Sequence, residues 1–198
     1  SGDDYEVYIT KNILMPLGMH SSFFDRAPYF LRPHRSHSYM RTDAGLTEAR
    51  FDFDTGITVS NGGLNAPLGD MARYMAFLMG NGRAAAYDVV LKRASLEEMW
   101  KPQIRASDGE GASGDAAQAG LSFFLERHSG LDFIAHSGDQ NGFISHFYLH
   151  RPSRTAYIVS FNTDVSASKT NASRPTTRQV DATLRDTIIR EVIGPHSP

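Results

Sequence analysis

Cysteine is absent from the 198 residues, which excludes disulfides, thiolate metal sites and a cysteine nucleophile while leaving the compartment open. Long apolar runs are missing as well. None approaches the roughly 20 residues of a spanning helix, and Ser1-Gly2-Asp3-Asp4 has neither the basic nor the apolar character of a signal peptide. No block of like charge occurs: 20 Lys and Arg stand against 22 Asp and Glu, for a formal net charge of -2. Nucleic acid and anionic membrane surfaces are therefore poor partners. The glycine-rich stretch Asp108 to Gly120 is followed by no Lys-Ser or Lys-Thr pair, so it is not a phosphate cradle. It has the composition of a mobile loop.

What is present is a strand-rich stretch from Leu121 to Asn162. The runs Leu121 to Arg127 and Leu131 to Ser137, separated by His128-Ser129-Gly130, predict one hairpin. Phe143 to His150 and Thr155 to Asn162 predict a second, joined by Arg151-Pro152-Ser153-Arg154, where proline suits the first central turn position. Together they form an antiparallel meander. Its second strand is expected to end at His136-Ser137-Gly138, with Asp139-Gln140-Asn141-Gly142 as a polar loop beyond. Such a strand end can present backbone donors to a ligand.

Helices flank this sheet. Asp3 with Glu6 has the form of a capping box, and Tyr5, Tyr8, Ile9 and Ile13 recur at helical spacing up to Met15, before Pro16-Leu17-Gly18-Met19. His20 to Thr58 is irregular, a long packed loop with short strands that walls a cleft. After Asn61-Gly62-Gly63-Leu64, Asn65 is the expected cap of a helix whose core stripe is Leu68, Met71, Ala72, Met75 and Leu78, ended by Gly80-Asn81-Gly82. Ser95 with Glu98 predicts a short helix to Lys101. Val180, Leu184, Ile188 and Val192, with Ile189 and Ile193, predict a C-terminal amphipathic helix packed on the sheet. The fold class is α/β in the α+β sense, an antiparallel sheet flanked by helices. Residues 1–105 hold part of a helical region with its cleft-lining loop, and residues 106–198 hold the sheet and the last helix.

In this order the elements resemble the C-terminal half of the serine β-lactamase and penicillin-binding protein superfamily, in the branch of class C β-lactamases, DD-peptidases and related esterases. Pro16-Leu17-Gly18-Met19, Asn61-Gly62-Gly63-Leu64 and Asp70-Met71-Ala72-Arg73 carry the resemblance, together with His136-Ser137-Gly138, which is similar to the third active-site box. The resemblance implies a β-lactamase/transpeptidase-like fold and acyl-serine chemistry on amide or ester substrates, with no cofactor. It implies that His136 stands where many members have lysine, that Ser137 hydrogen-bonds the substrate, that Gly138 leaves room for it, and that the Asp139 N–H is an oxyanion donor. Gly142 and Asn162 fit the substrate-binding side of the same scheme. A histidine there titrates near neutrality, which favours a peptidase or esterase over a β-lactam hydrolase.

The Ser-x-x-Lys that such chemistry needs occurs only as Ser166 and Lys169 in the connector near the C-terminus, and no Tyr-x-Asn or Ser-x-Asn box precedes the first helix. The sequence therefore reads as lacking the N-terminal half of the domain and as catalytically incomplete alone. The alternative is a non-catalytic binding or partner module. The strand Thr155 to Asn162 is expected to have an open edge, paired either by the missing half or by self-association. A periplasmic or secreted parent follows from the resemblance alone. His34 with His37, and His146 with His150, are read as surface histidines and no metal site is expected.

Overall fold

The fold is that of a computed structural model, which describes residues 1–49, 54–80, 87–105 and 118–197. The helix α1 (Tyr5–Ile9) runs on as a π turn over Thr10–Leu14. The next segment carries β1 (Phe23–Phe24), a 3-10 helix at Tyr29–His34, and the hairpin of β2 (Tyr39–Thr42) and β3 (Gly45–Glu48). Then come α2 (Val59–Gly62), β4 (Leu64–Asn65), α3 (Leu68–Met79) and α4 (Arg93–Met99). Short β5 (Ile104–Arg105) and β6 (Gln118–Ala119) lead into β7 (Phe124–His128), β8 (Leu131–Gln140), β9 (Phe143–His150) and β10 (Thr155–Phe161). The chain closes with β11 (Thr163–Val165) and α5 (Thr177–Ile188), which continues as a π turn over Ile189–Ile193.

The main sheet has six antiparallel strands in the order β10-β9-β8-β7-β6-β5. Two of its connections are two-residue turns with both residues at positive φ, Ser129-Gly130 and Asn141-Gly142. This is the type I′ geometry whose twist matches the strands it joins. β8 consequently runs through His136-Ser137-Gly138 to Gln140 and pairs with β9 as far as Gln140 opposite Phe143. The expected polar loop at residues 139–142 is thus two more strand residues and a tight turn. His128 also belongs to a strand, not to the turn. The four-residue connection at Arg151–Arg154 is as the proline placed it, with Arg154 N–H donating to the Arg151 carbonyl at 3.1 Å.

Successive side chains alternate across the sheet, so each face has its own cover. On one face Ile134, Phe147 and Leu149 pack with Leu14, Met19, Met75, Leu78, Leu96 and Trp100 from the helices. On the other Phe133, Ala135 and Tyr148 meet Ile189 and Ile193. Leu78 and Leu149 are fully buried, each contributing about 1.5–3 kcal/mol by removal from water.

Helix starts differ from the sequence expectation. α1 begins after Asp4 and α4 after Lys92, neither with a side-chain cap, so the two capping boxes at Asp3 and Ser95 do not form. Tertiary contacts set the start of α4: Arg93 Nη1 donates to the Leu78 carbonyl at 2.7 Å, and its guanidinium lies 4.8 Å from the centre of the Trp100 ring. Asn65 is not a cap either, because it pairs with Phe23 in β4, and α3 starts after Pro67. The reciprocal capping box that does form is Thr176 with Gln179 at the start of α5. In α3, Met75 and Leu78 are in the core as expected, whereas Leu68 is half exposed and Phe77 takes its place.

The C-terminal helix packs on the sheet with Ile189 and Ile193 buried as expected, but the rest of the stripe differs. Thr177, Asp181, Arg185, Ile189 and Ile193 are buried, while Val180, Leu184 and Val192 are exposed. Tyr29 and Phe30, expected in a packed loop, are exposed at the 3-10 turn. The mobile-loop reading of 108–120 falls largely outside the described residues, and its last part, Gln118–Ala119, is strand.

Candidate functional site

β7 stops at Phe124, opposite Ala135, whereas β8 continues for five more residues. Among the described residues, no strand pairs with residues 136–140 on that side. In an antiparallel ladder, alternate residues direct their N–H and C=O to opposite neighbours. The tight turn makes Gln140 with Phe143 a hydrogen-bonded pair, so Gly138 and His136 also bond toward β9. Ser137 and Asp139 therefore direct their backbone groups out of the free edge. His136, Ser137, Gly138 and Asp139 are all exposed. The structure thus brings these four expected site residues together on one open strand edge.

The His136 side chain points to the helical side of the sheet. Its ring lies 5.7 Å from Phe124 and stacks at 6.3 Å on Phe147. Desolvation by these rings lowers its pKa from the ordinary 6.5, a bond to the Ser137 carbonyl works the other way, and His146, in its protonated form, lowers it further. The residue stays exposed as a whole, so the neighbouring rings bias it toward the neutral form without locking it there. Gly138 lies on the same side as His136. A Cβ there would meet only Ser145 Oγ, at 3.6 Å. Packing within the described residues therefore does not demand glycine at this position.

The Asp139 side chain points to the other side and pairs with Arg178 of α5. Gly142 and Asn162 are not at the free edge. A Cβ on Gly142 would stand 2.6 Å from the Tyr39 carbonyl oxygen, so this glycine admits the backbone at the start of β2. Asn162 accepts from Tyr39 N–H at 2.8 Å and donates through Nδ2 to the His37 carbonyl at 3.0 Å. It lies beyond the end of β10, two strands from β8, beside a cleft of about 640 Å³ lined by Ser36, Leu68, Phe143 and Phe161. Both residues tie the β2 segment to the sheet.

His34 and His37 are exposed, as the surface reading has them, whereas His146 is largely buried and His150 fully so. His37 pairs with Glu48 of β3, His146 Nε2 is 2.9 Å from Asp181 Oδ2, and His150 is 2% exposed with Nδ1 2.7 Å from Ser153 Oγ. Among the described residues no group of three or more His, Asp or Glu could hold a metal ion. Ser166 and Lys169 lie in a non-helical connector, where Ser166 Oγ donates to the Arg41 carbonyl at 3.3 Å and the Lys169 N–H to Asp43. They do not form the helical pair that would activate a serine. Ser160-Phe161-Asn162 has Ser-x-Asn spacing, yet it spans the end of β10 rather than a loop.

Two motif segments of the helical region support one another. Asp70, buried at the start of α3, accepts from the Ser21 N–H and the Ser22 hydroxyl, both at 2.9 Å, and pairs with Arg73 at 2.9 Å. The Arg73 side chain passes 3.6 Å from the Cβ position of Gly18. A Cβ on Gly62 would stand 2.6 Å from Gln140 Oε1, so the turn before β4 lies against the tip of the β8–β9 hairpin.

The family model of β-lactamases matches residues 1–182. The chain is 25% identical over 188 residues to Beta-lactamase-like protein 4 of Dictyostelium discoideum, covering 86% of this chain and 30% of that protein. It superposes on the D-amino acid amidase of Ochrobactrum anthropi SV3 with a TM-score of 0.73 and 16% identity, over 99% of this chain and 53% of the amidase. It superposes on a class C β-lactamase with a TM-score of 0.70 and 14% identity, over 96% and 52%. No helix among the described residues is long and apolar enough to cross a membrane.

Proposed function

The chain belongs to the β-lactamase family, and from that premise we propose that it supplies the ligand-binding strand of an acyl-serine hydrolase acting on amide or ester substrates. The chain has the serine-hydrolase-like fold of that family. It spans about half the length of the solved structures above and about a third of the curated relative. The observation that carries the proposal is the open edge of β8. Ser137 and Asp139 direct N–H groups out of it one residue apart, beside an exposed hydroxyl and an imidazole.

In this reading the Asp139 N–H is one of two oxyanion donors, and a preorganised backbone donor of this kind stabilises charge as it develops on a carbonyl oxygen. Ser137 hydrogen-bonds the substrate, Gly138 keeps the approach clear, and His136 supplies a donor or positive charge in the place of a lysine. The downward shift of His136 favours its neutral form, so attraction for an anionic group grows as pH falls. The nucleophile and its base come from residues outside this sequence, because the one Ser-x-x-Lys present is not helical. That same observation favours a second reading, a binding module that uses the strand edge without turnover. For either reading, β10 is an edge strand with a cleft beside it, which fits pairing with the remaining half of the domain or with a second copy. Sedimentation that finds a clean monomer at high concentration counts against such pairing.

The test is intact mass spectrometry after incubation with a fluorophosphonate, which labels activated serines. This chain alone should remain unlabelled, and a sample containing a second polypeptide should carry the adduct on that polypeptide. A complete absence of labelling in such a two-part sample selects the binding module. An adduct on this chain contradicts the proposal.

A further inference from the structure

Directly behind the ligand edge, on the α5 side of the sheet, stands a second arrangement. Ser137 and His146 are cross-strand partners, and the alternation makes them a non-hydrogen-bonded pair, with Cβ atoms about 4.5–5.5 Å apart. His146 Nε2 lies 2.9 Å from Asp181 Oδ2, and both side chains are largely buried. α5 holds Asp181 in place through its first turn: Thr177 Oγ1 donates to the Thr163 carbonyl at 2.7 Å and accepts from Val165 N–H at 2.8 Å.

A carboxylate only accepts, so Nε2 carries the proton and Nδ1 of the neutral ring is an acceptor. Nδ1 is buried and has no partner. An empty buried acceptor is costly. The other polar groups on this face do not fill it: Arg178 is engaged by Asp139, the Tyr148 hydroxyl donates to Glu126 at 3.2 Å, and the Tyr157 hydroxyl, on the same face, is itself buried without a partner among the described residues. The Ser137 hydroxyl belongs to the residue directly opposite His146 on β8, and hydroxyl side chains can bond across strands.

We propose that His146, held by Asp181, is a positioning residue for the ligand edge: its Nδ1 accepts the Ser137 hydroxyl, which turns the Ser137 Oγ lone pairs toward the ligand. This makes position 137 an acceptor for a ligand N–H instead of a donor to a carboxylate. It narrows the substrate class to acyl compounds with an amide N–H near the reacting carbonyl. The inference rests on the reading that the β8 edge faces the ligand, and it adds which polarity Ser137 presents there.

The experiment is imidazole 15N NMR on the whole chain, as wild type, Ser137→Ala, Ser137→Thr and Asp181→Asn, with N-acetylalanine methylamide and N-acetylalanine as probes. Ser137 is exposed, so its variants keep the fold, and the fluorescence of Trp100 checks this in each variant. The wild type should show the Nε2–H tautomer at His146. Ser137→Ala should move the Nδ1 resonance toward that of a free lone pair, Ser137→Thr should restore it, and Asp181→Asn should mix the tautomers. The methylamide should shift the Ser137 and Asp139 amides and bind about two- to tenfold more weakly to Ser137→Ala, the loss of one hydrogen bond. An Nδ1 resonance indifferent to Ser137→Ala overturns the positioning role and leaves the proposed function standing. A preference for the carboxylate probe overturns the acceptor polarity. If neither probe shifts the strand amides while Nδ1 still responds, the ligand reading of the edge falls, and the inference with it.

Discussion

The two faces of the main sheet are covered by opposite means. Toward α1, α3 and α4 the cover is apolar: Leu149, Phe147 and Ile134 meet Leu14, Met75, Leu78 and Leu96. Tyr74, packed there, has its pKa pushed up to about 12 by burial and stays neutral. Toward α5 a small apolar cluster, Phe133 and Ala135 against Ile189 and Ile193, is joined by many titratable groups, with Glu126, His128, His146, His150, Asp181 and Arg185 near Tyr148 and Tyr157. His128 Nε2 is 2.7 Å from Glu126 Oε2, and the Tyr148 and Tyr157 rings stack at 5.3 Å. The difference teaches that one face supplies stability by area, whereas the other depends on each polar group keeping its partner. Buried polar networks are weak evidence of stability but hold a helix in one register. Here the register that matters is that of α5, which brings Asp181 to His146 and Arg178 to Asp139.

Leu149→Ala should break the apolar side most severely, costing about 3 kcal/mol through lost transfer energy and a residual cavity, read by denaturant unfolding. On the polar side Asp181→Ala should cost about 2 kcal/mol, because it leaves the buried imidazole of His146 without its acceptor. Asp181→Asn should cost less than Asp181→Ala, and an equal cost would mean that volume and not polarity matters there.

Acid should separate the faces further. Desolvation lowers the pKa of buried His150 from the ordinary 6.5, opposed by the charge of Asp132. The unfolded chain then takes up a proton that the folded one resists, so stability is full above about pH 6.5 and is lost as pH falls through the folded value. Melting temperatures across pH 5–8 should show this fall. His150→Asn should flatten the curve, whereas Leu149→Ala should lower it without changing its shape. The smallest effect belongs to the exposed stripe of α5: Val180→Ser and Leu184→Ser should each stay within about 0.5 kcal/mol of the parent. A larger loss would mean that this stripe is covered in solution.

The sequence made the apolar face legible and left the polar one dark. Period-2 runs of branched and aromatic residues located β7 to β10, and helical spacing located Met75 and Leu78. The family motifs were readable because each is a packing device: Asp70 binds the segment after Met19, and Gly62 makes room for Gln140. The C-terminal helix was legible, and Ile189 and Ile193 lie in the core as their spacing implies, but hydrophobicity also selected Val180, Leu184 and Val192 while the sheet buries Thr177, Asp181 and Arg185. No pattern of apolar residues can announce a polar docking face whose partners, His146 and Tyr148, sit on a distant strand. The extent of β8 was misjudged for a different reason. Asn141-Gly142 is a strong type I′ signal, and reading it would have carried the strand past His136-Ser137-Gly138 to the turn. The four residues of the edge were legible only through a family motif, since an exposed polar strand end carries no periodic mark.

The free edge of β8 is the claim on which the functional account depends, and amide hydrogen exchange of this chain tests it residue by residue. The account predicts that His136, Gly138 and Gln140, bonded to β9, exchange slowly, while Ser137 and Asp139 exchange fast. Protection of Ser137 and Asp139 equal to that of their neighbours would show the edge already paired and would contradict its assignment as the ligand-binding strand.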